Sequence, residues 1–311
     1  MVNDCAYVGE TLIKHLPREI KVVHLKRSRR FSDKTFGIAW KILRSKGDLY
    51  HVHYLLQDCY LALKLGKRPL IGHAHGSDLR EVIRSRKWGW IVKYNLENCA
   101  KVLVAQPTIL EIAKKYNSTA EYFPIPYDPE TFYAKPLPPE REEKHVLLVS
   151  PHDFKVKGTD KFLDALADVK VPLKVKTIYY GKDAEKAHIL ARKLGLKIEF
   201  IEKVHHSKMN ELYWEADLIL GSFGAGQLDT VAIEAMACGR PLIHHVLEKF
   251  YSACPLKELD VVNSVAELIH QLLVYRKEAK EKVRAQLKYV QVHHNAQVLV
   301  RKLVRIYGEL F

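Results

Sequence analysis

No run of about 18 apolar residues occurs in this 311-residue chain, so nothing in it reads as a membrane-spanning helix. The N-terminus lacks the basic-then-apolar pattern of a secretory leader. Cysteine is sparse. Cys5, Cys59, Cys99, Cys238 and Cys254 are odd in number and scattered, with no Cys-x-x-Cys pair and no zinc-type spacing. That excludes a disulfide-stapled scaffold and points to reduced thiols in a cytoplasmic protein. Internal repeats and low-complexity tracts are absent too, which excludes a solenoid or a disordered chain. Acids are scarce relative to bases, 36 Asp and Glu against 50 Lys and Arg, for a net charge of +14. Such a balance favours anionic partners: nucleotide phosphates, lipid headgroups or nucleic acid.

What is present is an ordinary soluble composition, 48% hydrophobic and 28% charged, at a length sufficient for two domains. Apolar strand-like runs alternate with amphipathic helical ones. Strands are expected at 20–25, 48–54, 69–73, 101–105, 145–149, 173–179, 198–201 and 218–220. Helices are expected at 36–44, 58–65, 88–98, 108–116, 160–167, 184–194, 208–214, 230–238, 265–275, 278–290 and 296–310. This alternation predicts an α/β fold of parallel sheets covered on both faces. The chain opens oddly: only Met1 and Val2 precede the first loop, so the first strand should be shortened to Met1–Asn3 or begin upstream. Pro136, Pro138 and Pro139 among charges mark 134–144 as a linker. The expected division is 1–140, 141–295, and a C-terminal helix, 296–311, crossing back to the first domain.

The stretch from Asp217 to Ile243 organises the second half. Leu218–Leu220 is a short buried strand, and Gly221, Gly224 and Gly226 follow at once. Glycines there permit positive φ and close approach of backbone to a ligand. A helix from Thr230 ends at Gly239 and Pro241. A glycine loop feeding a helix N-terminus can cradle phosphate, because backbone N–H groups and the helix dipole both favour an anion. Glu234, one turn inside, can accept two hydrogen bonds from a vicinal diol such as ribose. The plainer reading is an ordinary strand-loop-helix unit with a capping Glu.

Glu234-Ala-Met-Ala-Cys-Gly-Arg-Pro241 resembles the signature of retaining GT-B glycosyltransferases of family 4, the group 1 transferases. The resemblance implies two Rossmann-like domains facing a cleft. The first would be the acceptor domain and the second the nucleotide-sugar-binding domain. It also implies that Glu234 binds the donor's ribose. Gly226 stands where that family carries its first Glu, leaving the loop amides, Gln227 or Asp229 to hold the donor sugar. Pro124, Asp128 and Phe132 are similar to its crossing segment.

Lys157-Gly158 is similar to the family's Lys-Gly. A lysine before a helix that starts near Thr159 is placed to meet a diphosphate, with Lys155 as backup. The family's usual Gly-Arg is Ser150-Pro151 here. By position, Tyr180 and Val204 correspond to contacts with the nucleotide base. The expected donor set is therefore Lys155, Lys157, Gly158, Tyr180, Val204, Phe223, Gly224, Gly226, Gln227, Leu228, Thr230 and Glu234.

His51-Val52-His53 and His73-Ala74-His75-Gly76-Ser77-Asp78 both lie at strand ends, where open α/β sheets bind ligands. Four histidines invite a metal reading, and alternation puts each pair on one side of its strand. The resemblance implies another role, with His75 beside the donor sugar as the catalytic candidate and no metal or other cofactor expected.

Lys26, Arg27, Arg29, Arg30, Lys34, Lys41, Arg44 and Lys46 interleave with Phe31, Phe36 and Trp40. Arg80, Arg84, Arg86 and Lys87 precede Trp88 and Trp90. Bases beside aromatics suit an anionic membrane surface or nucleic acid, and a solvated basic face is the plainer alternative. The implied function is retaining transfer of a sugar from a nucleotide diphosphate sugar to an acceptor hydroxyl, carried on a glycan or lipid. It would be metal-independent, with no enzymic nucleophile nominated. Its location would be cytoplasmic, peripheral to the inner membrane face, with a membrane favoured over nucleic acid. A nucleotide-sugar epimerase and a non-catalytic binding protein on the same fold are the alternatives.

Overall fold

The computed structural model describes residues 1–27 and 37–311. It divides into two compact units, Met1–Pro126 with Ala296–Phe311, and Tyr127–Asn295.

The first unit contains α1 (Val8–His15), α2 (Ile38–Arg44), β1 (Tyr50–His53), α3 (Gln57–Lys64), β2 (Leu70–Ala74), α4 (Ser77–Arg80), α5 (Gly89–Asn98), β3 (Lys101–Val104), α6 (Leu110–Lys114) and β4 (Glu121–Tyr122). Its sheet runs β1-β2-β3-β4, all parallel, with His53 opposite His73. β1 and β2 are buried along their whole length, as strands covered on both faces must be. Gly72 sits mid-strand because the side chains of Leu55 and Cys99 occupy the place of a Cβ.

The expected short first strand is there. Val2 makes parallel bridges to both Leu25 and Val52. Its N–H donates to the His51 carbonyl at 2.8 Å and its carbonyl accepts from His53 N–H at 3.0 Å. The strand expected over 20–25 shrinks to the single bridge at Leu25. Val23 is 64% exposed, so the alternation of 20–25 buries little. After Asn3 the chain turns through Ala6 and Tyr7, all at positive φ, into α1. Asp4 secures that turn by accepting the N–H groups of Gly9 and Glu10.

The second unit contains β5 (Lys144–Leu148), α7 (Thr159–Ala167), β6 (Leu173–Ile178), α8 (Ala184–Lys193), β7 (Ile198–Ile201), α9 (Met209–Glu215), β8 (Leu218–Leu220), α10 (Thr230–Ala237), β9 (Leu242–Ile243), α11 (Val262–Val274) and α12 (Arg276–His293). Its sheet runs β7-β6-β5-β8-β9, all parallel, with β5 central. The loops after these strands therefore gather at one carboxyl edge, where doubly wound sheets bind ligands.

The last helix, α13 (Ala296–Gly308), falls in the first unit, burying Leu299, Leu303 and Ile306. The boundary lies after Pro126 rather than at 140. The reason is hydrogen bonding that composition does not reveal. The buried Arg240 guanidinium donates to the carbonyls of Lys135 (3.0 Å) and Pro136 (3.1 Å), and also to those of Tyr213 and Trp214. Asn210 donates to the Thr131 carbonyl at 2.8 Å. The proline-rich segment is thus fastened to the second unit.

Candidate functional site

In the second unit, Lys157-Gly158 and Ser222–Gly224 form one packed pair of loops. The Lys157 carbonyl accepts from Phe223 N–H at 2.7 Å and Gly224 N–H at 3.1 Å. Gly158, at φ +61°, approaches Phe223 so closely that a Cβ would lie 3.0 Å from that of Phe223. A Cβ on Gly224 would run into the Val156 carbonyl oxygen. His244 closes the other side. Its Nδ1 accepts from Ser222 N–H at 2.9 Å, so Nε2 carries the proton and donates to the Gln227 carbonyl at 2.8 Å. Burial pushes the pKa of His244 below its ordinary value, which keeps this tautomer neutral. The amides of Ser222, Phe223 and Gly224 turn inward, to His244 and Lys157, so of the expected cradle the helix N-terminus at Thr230 is the part left to an anion.

Lys157 reaches Asp229 at 2.5 Å, and Asp229 caps α10 through Ala232 N–H. Burial raises the pKa of the Asp229 carboxyl, but the Lys157 ammonium, by charge and hydrogen bond, outweighs it and the net position is below the ordinary value. Lys155 is exposed nearby. Phe223 and Leu228 are buried side chains, 3% and 1% exposed, so only their backbone can face a ligand. Gly226 is at φ +63°, and a Cβ would meet Leu247 Cγ at 2.6 Å. The space that the family's first Glu would need is filled. Tyr180 is exposed with Lys203 over its ring at 4.5 Å, and Val204 follows on the next loop. Thr230 is the first residue of α10.

Glu234 is only 2% exposed and doubly held. It accepts from His206 Nε2 at 2.6 Å and from Tyr213 Oη at 3.2 Å. Burial raises its pKa, partly offset by His206. Sequence reasoning missed His206, Tyr213 and His244. Tyr213 and His206 precede the glycine block on the adjoining loop and helix, and only a contact map connects them to Glu234.

In the first unit, the two histidine pairs meet. Ring centroids lie 4.8 Å apart for His51 and His53, 5.0 Å for His53 and His73, and 4.6 Å for His73 and His75. Burial lowers the pKa of all four, that of His75 to about 3. The loop after β2 is tied by Asp78, whose buried carboxylate accepts N–H groups from Leu55, His75, Gly76 and Leu79. Its pKa is nonetheless raised, burial outweighing those bonds.

Of the basic cluster, Arg29, Arg30, Phe31, Lys34 and Phe36 lie outside the described residues. Arg27 is engaged by the buried Asp58, and Lys26 by Glu10. Arg84, Arg86, Lys87, Trp88 and Trp90 are exposed, as is Trp40 with Arg44 over its ring at 5.3 Å. Among the described residues no helix is long and apolar enough to cross a membrane.

Residues 143–254 match the family described as Glycosyl transferases group 1. That span includes the Glu234 block from which the resemblance was read. A stretch of 158 residues is 27% identical to the lipopolysaccharide glucosyltransferase WaaG of Escherichia coli (strain K12), taking in 46% of this chain and 42% of that protein. The match therefore spans less than half of WaaG. Sucrose-phosphate synthase from Thermosynechococcus elongatus has a TM-score of 0.74 at 19% identity, over 98% of this chain and 92% of that one. HepE of Anabaena, in complex with UDP and glucose, has a TM-score of 0.72 at 14% identity, over 97% and 89%. Identities this low establish the fold alone. It is the GT-B fold, as the sequence led us to expect.

Proposed function

We propose that this chain is a glycosyltransferase that moves a sugar, with retention of configuration, from a nucleotide diphosphate sugar to an acceptor hydroxyl. One observation carries the reading. The second unit places Glu234, pre-oriented by His206 and Tyr213, on the same carboxyl sheet edge as Lys157 and the N-terminus of α10. Glu234 then holds the ribose, Lys157 exchanges Asp229 for the donor diphosphate, and Tyr180 and Val204 flank the base. Lys155 adds charge from solvent. Cation and helix dipole neutralise the leaving diphosphate, a role that a metal fills elsewhere. Gly226 leaves the sugar hydroxyls to Gln227 and the loop backbone. His75 is the catalytic candidate that the resemblance implies.

HepE was solved with UDP-glucose, and WaaG carries the name of a lipopolysaccharide glucosyltransferase. UDP-glucose is accordingly the first donor to try, with a lipid-linked glycan as acceptor. The exposed Trp88, Trp90 and their basic neighbours would hold the enzyme at an anionic bilayer.

The test is calorimetric titration with UDP-, GDP- and ADP-sugars, followed by donor turnover with and without acceptor. Binding with slow donor hydrolysis in the absence of acceptor supports a transferase. Interconversion of the sugar without acceptor points to an epimerase. Binding without turnover under either condition points to a binding protein. No binding of any of the three removes the reading.

A further inference from the structure

The first unit contains a constellation that sugar transfer does not use. His51, His53 and His73 each offer one ring nitrogen, and these atoms all lie within 4.8 Å of one another. All three side chains are buried. Two of their nitrogens, His53 Nε2 and His73 Nε2, have no hydrogen-bond partner. An orphaned buried imidazole nitrogen costs stability, and two in one cluster call for an explanation, which a bound ion supplies.

We propose that His51, His53 and His73 form a histidine-only site for a divalent transition ion of the zinc type. β1 supplies two ligands at i and i+2, which strand alternation sends to the same face. β2 supplies the third from the residue paired with His53. Tetrahedral zinc bound by nitrogen at about 2.1 Å sets its ligands about 3.4 Å apart, so side-chain rotation within the cluster brings three nitrogens to one ion. A ligating imidazole holds its orientation by donating its other N–H. His51 Nδ1 lies 2.8 Å from Tyr307 Oη, and His53 Nδ1 lies 2.9 Å from His75 Nε2. With metal on Nε2, both Nδ1 atoms carry protons and donate to those partners. Three protein ligands leave a fourth position for water.

Every ligand comes from the first unit, whereas the residues assigned to the donor phosphates come from the second. The site therefore draws on none of the residues assigned to the donor phosphates, and the proposal stands whether or not the transferase reading does. The competing account is a relay, Tyr307–His51–His73, linked by hydrogen bonds of 2.8 and 3.2 Å and needing no metal. That relay leaves both orphaned nitrogens orphaned.

The test uses the full chain free of any affinity histidines, loaded with Zn²⁺ and passed over a chelating resin. About one zinc per chain should remain by plasma mass spectrometry, and chelation should lower the thermal midpoint. Co²⁺ loading should give the intense visible bands of a four-coordinate site. His53→Gln and His73→Gln should weaken binding at least about tenfold, and the control His293→Ala should not. If the Gln variants fail to fold, the wild-type Co²⁺ spectrum decides. Absence of those bands, no retained metal, or full retention by a folded His73→Gln protein would each overturn the site.

Discussion

The two units build the carboxyl edge of a parallel sheet with opposite materials. The first builds its edge from side chains: four neutral imidazoles stacked on one another and one carboxylate gathering four amides. The second builds its edge from backbone and glycine, with loop amides donating to Lys157 O and close approaches at Gly158, Gly224 and Gly226. A side-chain edge is broken by deleting atoms and a backbone edge by adding them. Removing Asp78 strands several buried N–H groups, each costing about 1–3 kcal/mol. Asp78→Ala should therefore destabilise by about 3–5 kcal/mol, the largest effect expected. Urea unfolding followed by tryptophan emission measures it, and a loss below about 1 kcal/mol would deny Asp78 this role.

The converse change in the second unit is Gly224→Ala, which adds one carbon. Because the obstacle is the Val156 carbonyl and not a flexible side-chain tip, the loop pair must part, at about 2–3 kcal/mol. Gly195→Ala is the control. That glycine also has positive φ, +70°, but nothing within 4 Å, so only the backbone penalty of about 1 kcal/mol applies. Equal costs for the two would mean that close approach is irrelevant to the edge.

This contrast also explains what was readable beforehand. The positions of strands and helices, the glycine block and the histidine pairs follow from periods of two and 3.6 and from the residues themselves. Partners contributed from distant sequence do not. His206 and Tyr213 are ordinary residues until β7, α9 and α10 are folded side by side. Arg240 lies inside the quoted motif with no role of its own in the sequence, yet it fastens residues 135–136 and so moves the unit boundary. Phe223 and Leu228 belong to the expected donor set by their position along the loop, but their side chains belong to the core. Arg27 was counted as surface charge, but Asp58 holds it.

Glu234 is where the two materials meet: it is a buried carboxylate at the second unit's edge, held by two side chains. Glu234→Ala should cost about 1.5–3 kcal/mol in nucleotide affinity, the range of hydrogen bonds to a charged group. His206→Ala should lose part of this through misorientation alone, while His206→Gln, still able to donate, should recover some. Unchanged UDP affinity in folded Glu234→Ala would remove the ribose assignment.

His244 offers a pH reading of the same edge. Its folded pKa is depressed, so the unfolded chain takes up the proton first. Its contribution is fully present above the unfolded pKa of about 6.5 and is lost as pH falls below it, at up to about 1.4 kcal/mol per pH unit. Protonated Nδ1 cannot accept from Ser222, so loop and nucleotide affinity should weaken together. In His244→Gln the part of the pH slope due to this residue should vanish. A wild-type slope that survives in the variant would assign it elsewhere.

The smallest effect concerns the exposed aromatic and basic surface of the first unit. Arg84, Arg86 and Lys87 stand beside Trp88 and Trp90 without the buried acid that ties Arg27. Reversing Arg27 would set a carboxylate against Asp58 and test folding, not binding, so the informative variant is Arg84→Glu with Arg86→Glu and Lys87→Glu. Each base near an anionic bilayer contributes about 1 kcal/mol, roughly fivefold in partition. Rings at the headgroup level add to this without spanning. Flotation should therefore recover wild type with anionic but not neutral vesicles, less so at high salt, where the screening length shrinks. The triple variant should lose most recovery while keeping UDP affinity, because those three residues lie in the unit that does not carry Glu234. Equal recovery with both vesicle types, or tight salt-sensitive binding to duplex DNA instead, would assign the charge to another use and leave the second unit's assignment untouched.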